Sequence, residues 1–457
     1  MAKEKSKNIE MITGDPKKAI VKLAIPMMVS MLLIMLYNIA DSIWVAGLGA
    51  DALAAVGFIT PLFMVLVGLG NGIGAGANSL IARYIGADNY KQANNAGLHG
   101  ILLSIIISVI FTIIIEVFMV PILQFMGAGE TIQYAMDYSY VIFGFLFVFV
   151  YSGVASAIFR SEGDMRRATI AIAVTAVLNI ILDPVFIYVL NFGISGAAWA
   201  TVVSAIMSCV VMSYWIWGKK DLYLDLSPKN FRYETKMITD NLQVAIPSTL
   251  ESLVFSILAI IINALLVQAS GTTAVAVYTA SMRIVQLAMI PLIGLGTAVL
   301  TVAGVAYGAR NYENLKTAHS YSIKLGFAIS IALGIVMYVF SSQLATMFSY
   351  TEASAALSPQ IATAISVLSL FVLAIPHGMM SAMVFQGVGK GLYSLLITLL
   401  RSLILESVFA YIFCFIFGWG VTGIYAGVVF GCFVGGTVGY IWAKLFIRKF
   451  KRFAKTS

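Results

Sequence analysis

Charge is what this chain has least of. Of 457 residues, 11% are Asp, Glu, Lys or Arg and 60% are hydrophobic. A water-soluble globular domain does not carry that balance, so soluble enzymes and nucleic-acid binders are excluded. Cysteine is scarce too: Cys209, Cys414 and Cys432 all lie inside apolar runs. An odd set of thiols in apolar surroundings gives no disulfide framework, and these read as small packing residues. His99, His319 and His377 are isolated, which offers no metal cluster. The net charge of +8 is no nucleic-acid signal. The basic residues sit in short connections and at the two tails, where the orientation rule of membrane proteins puts them. No cleavable leader is expected. The first apolar run follows a polar, lysine-bearing start and is too long for a signal core.

What is present is long apolar runs. The one from Leu23 to Gly49 is the most telling, because it carries Asp41 toward its far end. A bilayer core of about 30 Å takes about 20 helical residues to span. An aspartate at its centre costs roughly 2.5–3.5 kcal/mol. A folded chain keeps such a residue where partners or water meet it. Tyr37 and Asn38 precede Asp41 by four and three residues and share its helix face. An intramembrane acid with polar neighbours is an ion or proton site by default.

Twelve such segments are expected, at 17–47, 52–82, 93–121, 131–158, 165–190, 194–217, 239–268, 272–306, 314–341, 356–385, 391–417 and 421–447. The fold class is therefore an all-α membrane protein. A β-barrel would show short alternating segments instead. The start of the chain carries Lys3, Lys5, Lys7, Lys17, Lys18 and Lys22. The even-numbered connections carry Arg83 and Lys91; Arg160, Arg166 and Arg167; Lys219, Lys220, Lys229, Arg232 and Lys236; Arg310 and Lys316; and Lys390. The odd-numbered ones hold only acids, such as Asp51, Glu130 and Glu352. Both termini and all even connections are thus expected in the cytoplasm, in a multi-pass protein of the plasma or inner membrane.

The polar stretch 218–238 divides the chain, giving an N-lobe of 1–217, a cytoplasmic linker and a C-lobe of 239–457. The halves repeat. Ala24-Ile25-Pro26 matches Ala245-Ile246-Pro247; Gly86-Ala87-Asp88-Asn89-Tyr90 matches Gly308-Ala309-Arg310-Asn311-Tyr312; Gly193-Ile194-Ser195-Gly196 matches Gly420-Val421-Thr422-Gly423. The offsets are 221, 222 and 227. A six-span repeat preserves orientation, so the lobes relate by a pseudo-two-fold axis along the membrane normal, with sites expected near the midplane.

The second acid is Asp183, four residues after Asn179 and directly before Pro184. Proline frees a backbone carbonyl one turn back. A carboxylate, an amide oxygen, that carbonyl and the Thr201 hydroxyl make a plausible hard-cation site. The bland reading is that Asn179 and Asp183 only bond neighbouring helices. The glycines at 68, 70, 72, 74 and 76 follow no strand, so they read as helix packing and not as a dinucleotide loop. In the second half Asp41 aligns with Ile262 and Asp183 with Glu406. Arg401 and Glu406 are spaced to pair, while Glu251 and Arg283 are open between pairing, lining a cavity and touching substrate. Lys324 is expected to snorkel to the interface.

The run from AIP through YNIADSIWVAGLGADALAAVGF to ARYIGADNYKQA resembles multidrug and toxic compound extrusion (MATE) transporters over essentially the whole chain. Asp41 with Asn179, Asp183-Pro184 and Thr201 is similar to the branch of DNA-damage-inducible exporters. The resemblance implies two six-helix lobes around a V-shaped cleft. It implies H⁺- or Na⁺-driven antiport of organic cations or amphipathic compounds, with no other cofactor and no catalytic residue. Tyr37, Asn38, Asp41, Asn179, Asp183 and Thr201 would line the N-lobe cavity, and Na⁺ or a proton would load at Asp41, Asn179, Asp183 and Thr201. A further polar site in the C-lobe would involve Glu251, Arg283, Arg401 and Glu406. Small-molecule substrates, the bilayer and a monomeric state are the expected partners, with no nucleic acid. Two rivals remain: a lipid-linked precursor flippase of the same superfamily and a membrane-embedded enzyme. The twelve spans and N-lobe acids oppose the first; the absence of a nucleophile-base set opposes the second.

Overall fold

The computed structural model describes residues 6–126, 129–219, 221–347 and 356–455. Lys3, Lys5, Lys220 and Glu352 of the charge pattern lie outside them. The described chain is almost entirely helical. Short α1 (Lys7–Thr13) leads into α2 (Pro16–Ala46), α3 (Ala50–Gly86) and α4 (Tyr90–Phe125). Then come α5 (Ile132–Gly144), α6 (Leu146–Ser161), α7 (Met165–Val189) and α8 (Gly193–Gly218). The second half holds α9 (Thr235–Ser270), α10 (Thr272–Gly308), α11 (Tyr312–Val339) and α12 (Ser341–Thr346). It closes with α13 (Ser358–Ala374), α14 (Pro376–Gly387), α15 (Gly391–Ile416) and α16 (Gly420–Lys455). Among the described residues ten helices are long and apolar enough to cross a membrane. Two pairs, bent by 46° between α5 and α6 and by 42° between α13 and α14, bring the number to twelve if each pair is counted as one span. The second bend has Pro376 to explain it, since proline removes one helical hydrogen bond. Along α4, Ile106, Val109, Ile110, Ile113 and Val117 are exposed, a stripe suited to lipid and not to water.

The chain forms two compact units: residues 1–14 with 26–249, and residues 15–25 with 250–457. The divisions fall at Pro26 in α2 and two residues past Pro247 in α9, at matching points of the repeat. Helix α2 runs through Pro26 without a break. The Pro26 carbonyl accepts from the Ser30 and Thr169 hydroxyls at 2.9 and 3.1 Å.

Within the first unit, α3 packs along α6, and α7 along α8. The glycine run of α3 makes the first contact possible. A Cβ on Gly74 would meet the Gly153 carbonyl oxygen at 3.0 Å, and one on Gly153 the Gly70 carbonyl oxygen at 2.9 Å. These glycines serve close helix packing. The stretch 218–238 is no loose tether. Leu222, Tyr223, Leu224 and Leu226 are buried. The Glu162 carboxylate accepts the Tyr223 and Leu224 backbone N–H groups at 3.3 and 2.7 Å. Asn94 accepts from Asp225, Asn95 clasps the Arg232 backbone, and His99 accepts the Glu234 N–H while Phe231 stacks on its ring.

In the second unit α10 is the buried centre, and Val285 and Leu292 pack in one cluster with Ile365, Leu368 and Val428. A ridge of glycines on α16 lets α15 lie against it. Cβ atoms on Gly423, Gly431 and Gly435 would run into the backbones of Phe413, Glu406 and Arg401.

The repeat extends to backbone detail. Asp88 and Arg310 share a left-handed conformation, with φ of 54° and 51°. The next residues, Asn89 and Asn311, cap α4 and α11 by accepting from the Gln92 and Asn314 N–H groups. Two wide π-helical turns, Val185–Val189 and Ile412–Ile416, also correspond, at an offset of 227. Gly196 lies against the Phe186 carbonyl as Gly423 lies against that of Phe413, at the same offset. At that offset Asp183 corresponds to Ala410, and Glu406 to Asn179. The expected match of Asp183 with Glu406 is therefore displaced by one helical turn. Apolar helices slide by a turn without changing pattern, and only the glycine contacts pin the register.

Candidate functional site

Helix α7 brings Asn179 and Asp183 to one buried face, and α8 sets Thr201 against them. The Asn179 amide nitrogen donates to Asp183 Oδ1 and to Thr201 Oγ1, both at 3.2 Å. Thr201 in turn donates to the Ala197 carbonyl. Asn179 and Asp183 are at most 1% exposed. With its nitrogen spent, Asn179 turns its oxygen away from both partners. Asn179 Oδ1 and Asp183 Oδ2 are buried and have no hydrogen-bond partner. Helix α2 adds a third such oxygen, Oδ1 of half-buried Asp41. Asp41 and Asp183 are close enough to interact electrostatically. Buried polar atoms are satisfied as a rule, so three orphan acceptors in one region stand out; chemically, such oxygens can accept a proton or take up a cation.

Beside this group lies a cavity of about 190 Å³, lined by Tyr37, Asn179 and Thr201 together with apolar Met27, Met31, Phe63 and Phe149. Asp41 and Asp183 do not contribute to its lining. Asn38 is exposed on another part of α2, where its carbonyl accepts from Ser42. It shares a helix quadrant with Asp41 but not the cavity.

Two residues are placed differently from what the sequence suggests. Tyr138 of α5 is buried within electrostatic range of Tyr37, Asp41 and Asp183. Nothing distinguishes it from Tyr134 and Tyr140 in the same polar, tyrosine-rich stretch. Arg160 counts among the connection charges by sequence, yet α6 continues to Ser161 and Arg160 lines the cavity. The sequence carries no signal for this, because the turn at Glu162–Gly163 follows Arg160 within two residues.

In the second unit, Arg401 and Glu406 form no ion pair among the described residues. Arg401 Nε reaches the Ser402 hydroxyl at 3.4 Å. Glu406 is buried beside Ser402 and Cys432, with both oxygens short of a hydrogen-bond partner at good geometry. The five-residue spacing fits an α-helix poorly; the wide turn over Leu399–Glu406 brings the two residues nearer one face, within electrostatic range but without an ion pair. Glu251 is held instead by Ser394, whose hydroxyl donates at 2.6 Å, and by Gln386. Arg283 is exposed and pairs with neither acid, and Lys324 is exposed as expected.

The MatE family model matches residues 26–185 and 247–412, once in each half. The chain belongs to the MatE family. This member is similar to the probable multidrug resistance protein NorM of Thermotoga maritima, 27% identical over 83% of this chain and 82% of that one. It is 26% identical to a FAD transporter of Shewanella oneidensis, over 73% and 74% of the two chains. Among solved structures, a MOP superfamily transporter from Pyrococcus furiosus is 39% identical. It matches with a TM-score of 0.95 over 98% of this chain and 100% of that one, and its description is "reverse polarity of binding pocket". This MatE chain is thus a multi-span membrane transporter of small molecules and not an enzyme.

Proposed function

We propose that this MatE protein is a cation-coupled antiporter that exports amphipathic compounds by alternating access. The carrying observation is the set of three buried, unpartnered oxygens on Asp41, Asn179 and Asp183. A proton on either acid, or Na⁺ held by these oxygens with Thr201, removes the cost of leaving them bare. Loading changes the charge beside the cavity that Tyr37, Asn179 and Thr201 line, so cation and substrate influence one another. Moving one charge across 100 mV supplies about 2.3 kcal/mol to drive the cycle. The protein sits in the cell membrane as a monomer, both termini in the cytoplasm, which the lysine and arginine pattern supports. The names of its relatives, a multidrug resistance protein and a FAD transporter, support export of bulky compounds. The acid set favours the DNA-damage-inducible branch.

The test is dye efflux from proteoliposomes under an imposed H⁺ or Na⁺ gradient, beside equilibrium dye binding. Asp41→Asn keeps the size of the side chain and removes its charge. We expect it to fold, to bind dye, and to lose gradient-driven efflux, while Asp41→Glu keeps part of it. Wild-type efflux by Asp41→Asn under both gradients would make Asp41 structural and the reading wrong.

A further inference from the structure

Arg160 is the cavity's unclaimed charge. It sits in the last turn of α6 and lines the same cavity as Tyr37, Asn179 and Thr201. No hydrogen bond or ion pair of its guanidinium exists among the described residues. Arginine near a helix C-terminus ordinarily spends its donors on the last free carbonyls or on a neighbouring acid. Here the nearby acids are engaged elsewhere: Glu162 holds the Tyr223 and Leu224 N–H groups, and Asp164 pairs with Arg167. A guanidinium carries five N–H donors and stays charged. It is half-buried and opens into the cavity, held by no protein group among the described residues, so an anion entering the cavity can pair with it.

The cavity has two different ends. Arg160 lies next to the connection into α7, whereas Asn179 stands fourteen residues beyond the start of that helix at Met165. By helical rise that is about 20 Å along α7. Between them the lining is mostly apolar, from Met27, Met31, Ile34, Val67 and Phe149, with Asn71, Ser152, Ser156 and Thr175 as polar points along it. An anion at Arg160 is therefore kept well away from Asp41 and Asp183, which would repel it.

We propose that Arg160 anchors a single anionic group, a sulfonate, phosphate or carboxylate, of an amphipathic substrate whose apolar body lies along the cavity. This names the substrate class of the site and rests on the export reading above. The same chemistry is offered by a soluble amphipathic anion and by an anionic lipid headgroup.

The experiment measures binding to purified protein in lipid-free detergent. The probes are 8-anilinonaphthalene-1-sulfonate, a fluorescently labelled phosphatidylglycerol, and the cationic dye rhodamine 6G. Arg160→Gln should weaken at least one anionic probe about 10- to 100-fold, and should move the anion-to-cation selectivity ratio toward the cation. Arg160→Lys, which keeps the charge, should recover most of that loss and guards against a folding defect in the first variant. The sulfonate binding more tightly assigns a soluble substrate; the phosphatidylglycerol binding more tightly assigns a lipid. If Arg160→Gln leaves both anionic affinities unchanged, or lowers all three probes equally while Arg160→Lys does the same, the proposal is overturned. Gradient-driven efflux by the wild type is recorded separately. Its absence would sink the export reading and leave the affinities measured for the Arg160 variants as they stand.

Discussion

Asp183 and Asn179 show how two residues four apart acquire a role neither has alone. The amide nitrogen bonds both the carboxylate and Thr201, and this leaves oxygens, not donors, facing the buried space. Asp183→Asn replaces one acceptor by a donor in a group that has acceptors to spare. We expect the variant to fold and to bind dye within about threefold of wild type. Its efflux should no longer differ between the presence and absence of an imposed gradient. Undiminished gradient dependence in Asp183→Asn would show that Asp183 carries no coupling. Asn179 and Asp183 are legible in the sequence because an acid in an apolar run is anomalous on sight. Arg160 is easily misplaced because an arginine near a helix end looks the same whether it faces water or a cavity.

At the scale of elements, glycine spacing sets which helices can touch. On α16 the ridge at Gly423, Gly427, Gly431, Gly435 and Gly439 lies against α15, and a Cβ at Gly431 would meet the Glu406 nitrogen at 2.5 Å. Gly431→Ala must push the helices apart and should cost about 1–3 kcal/mol, seen as a lower thermal midpoint in detergent. Gly57→Ala in α3, where a Cβ would meet nothing within 4 Å, should be neutral or slightly stabilising. Equal midpoints for the two variants would mean that the ridge does not set the packing. The docked stretch 218–238 yields a second test. Glu162→Ala strands the Tyr223 and Leu224 N–H groups at a cost of about 1–3 kcal/mol each. Hydrogen exchange at residues 222–226 should rise sharply, with little change in α10. Unchanged exchange there would show that apolar burial alone holds the segment.

For the whole molecule, the arginine and lysine pattern makes a claim about sides. In a background without Cys209, Cys414 and Cys432, single cysteines at Lys229 and Lys390 should react in intact cells only with membrane-permeant reagents. Both positions lie in even-numbered connections, so labelling of either from outside by an impermeant reagent would break the twelve-span arrangement. The two bent pairs, α5 with α6 and α13 with α14, are what this test guards. Lys229 moves to the outside if the first pair does not cross, and Lys390 does so if exactly one of the two pairs fails to cross.

Composition and apolar run length by themselves determined a helical membrane protein, its twelve segments and its internal repeat, because the cost of bare backbone in lipid leaves few alternatives. They also exposed Asp41 and Asp183, since a charge within an apolar run stands out. Tertiary structure decided what depends on neighbours. It turned Asn38 away from the cavity, brought Arg160 and Tyr138 toward the site, left Arg401 and Glu406 near one another without an ion pair, and folded 218–238 down onto the first unit. The reason is rotational. Along an apolar helix the residue types repeat on every face, so the sequence states what a segment contains. Where each side chain points follows from a wide turn at Val185–Val189 or Leu399–Glu406 and from a glycine that fits only one partner.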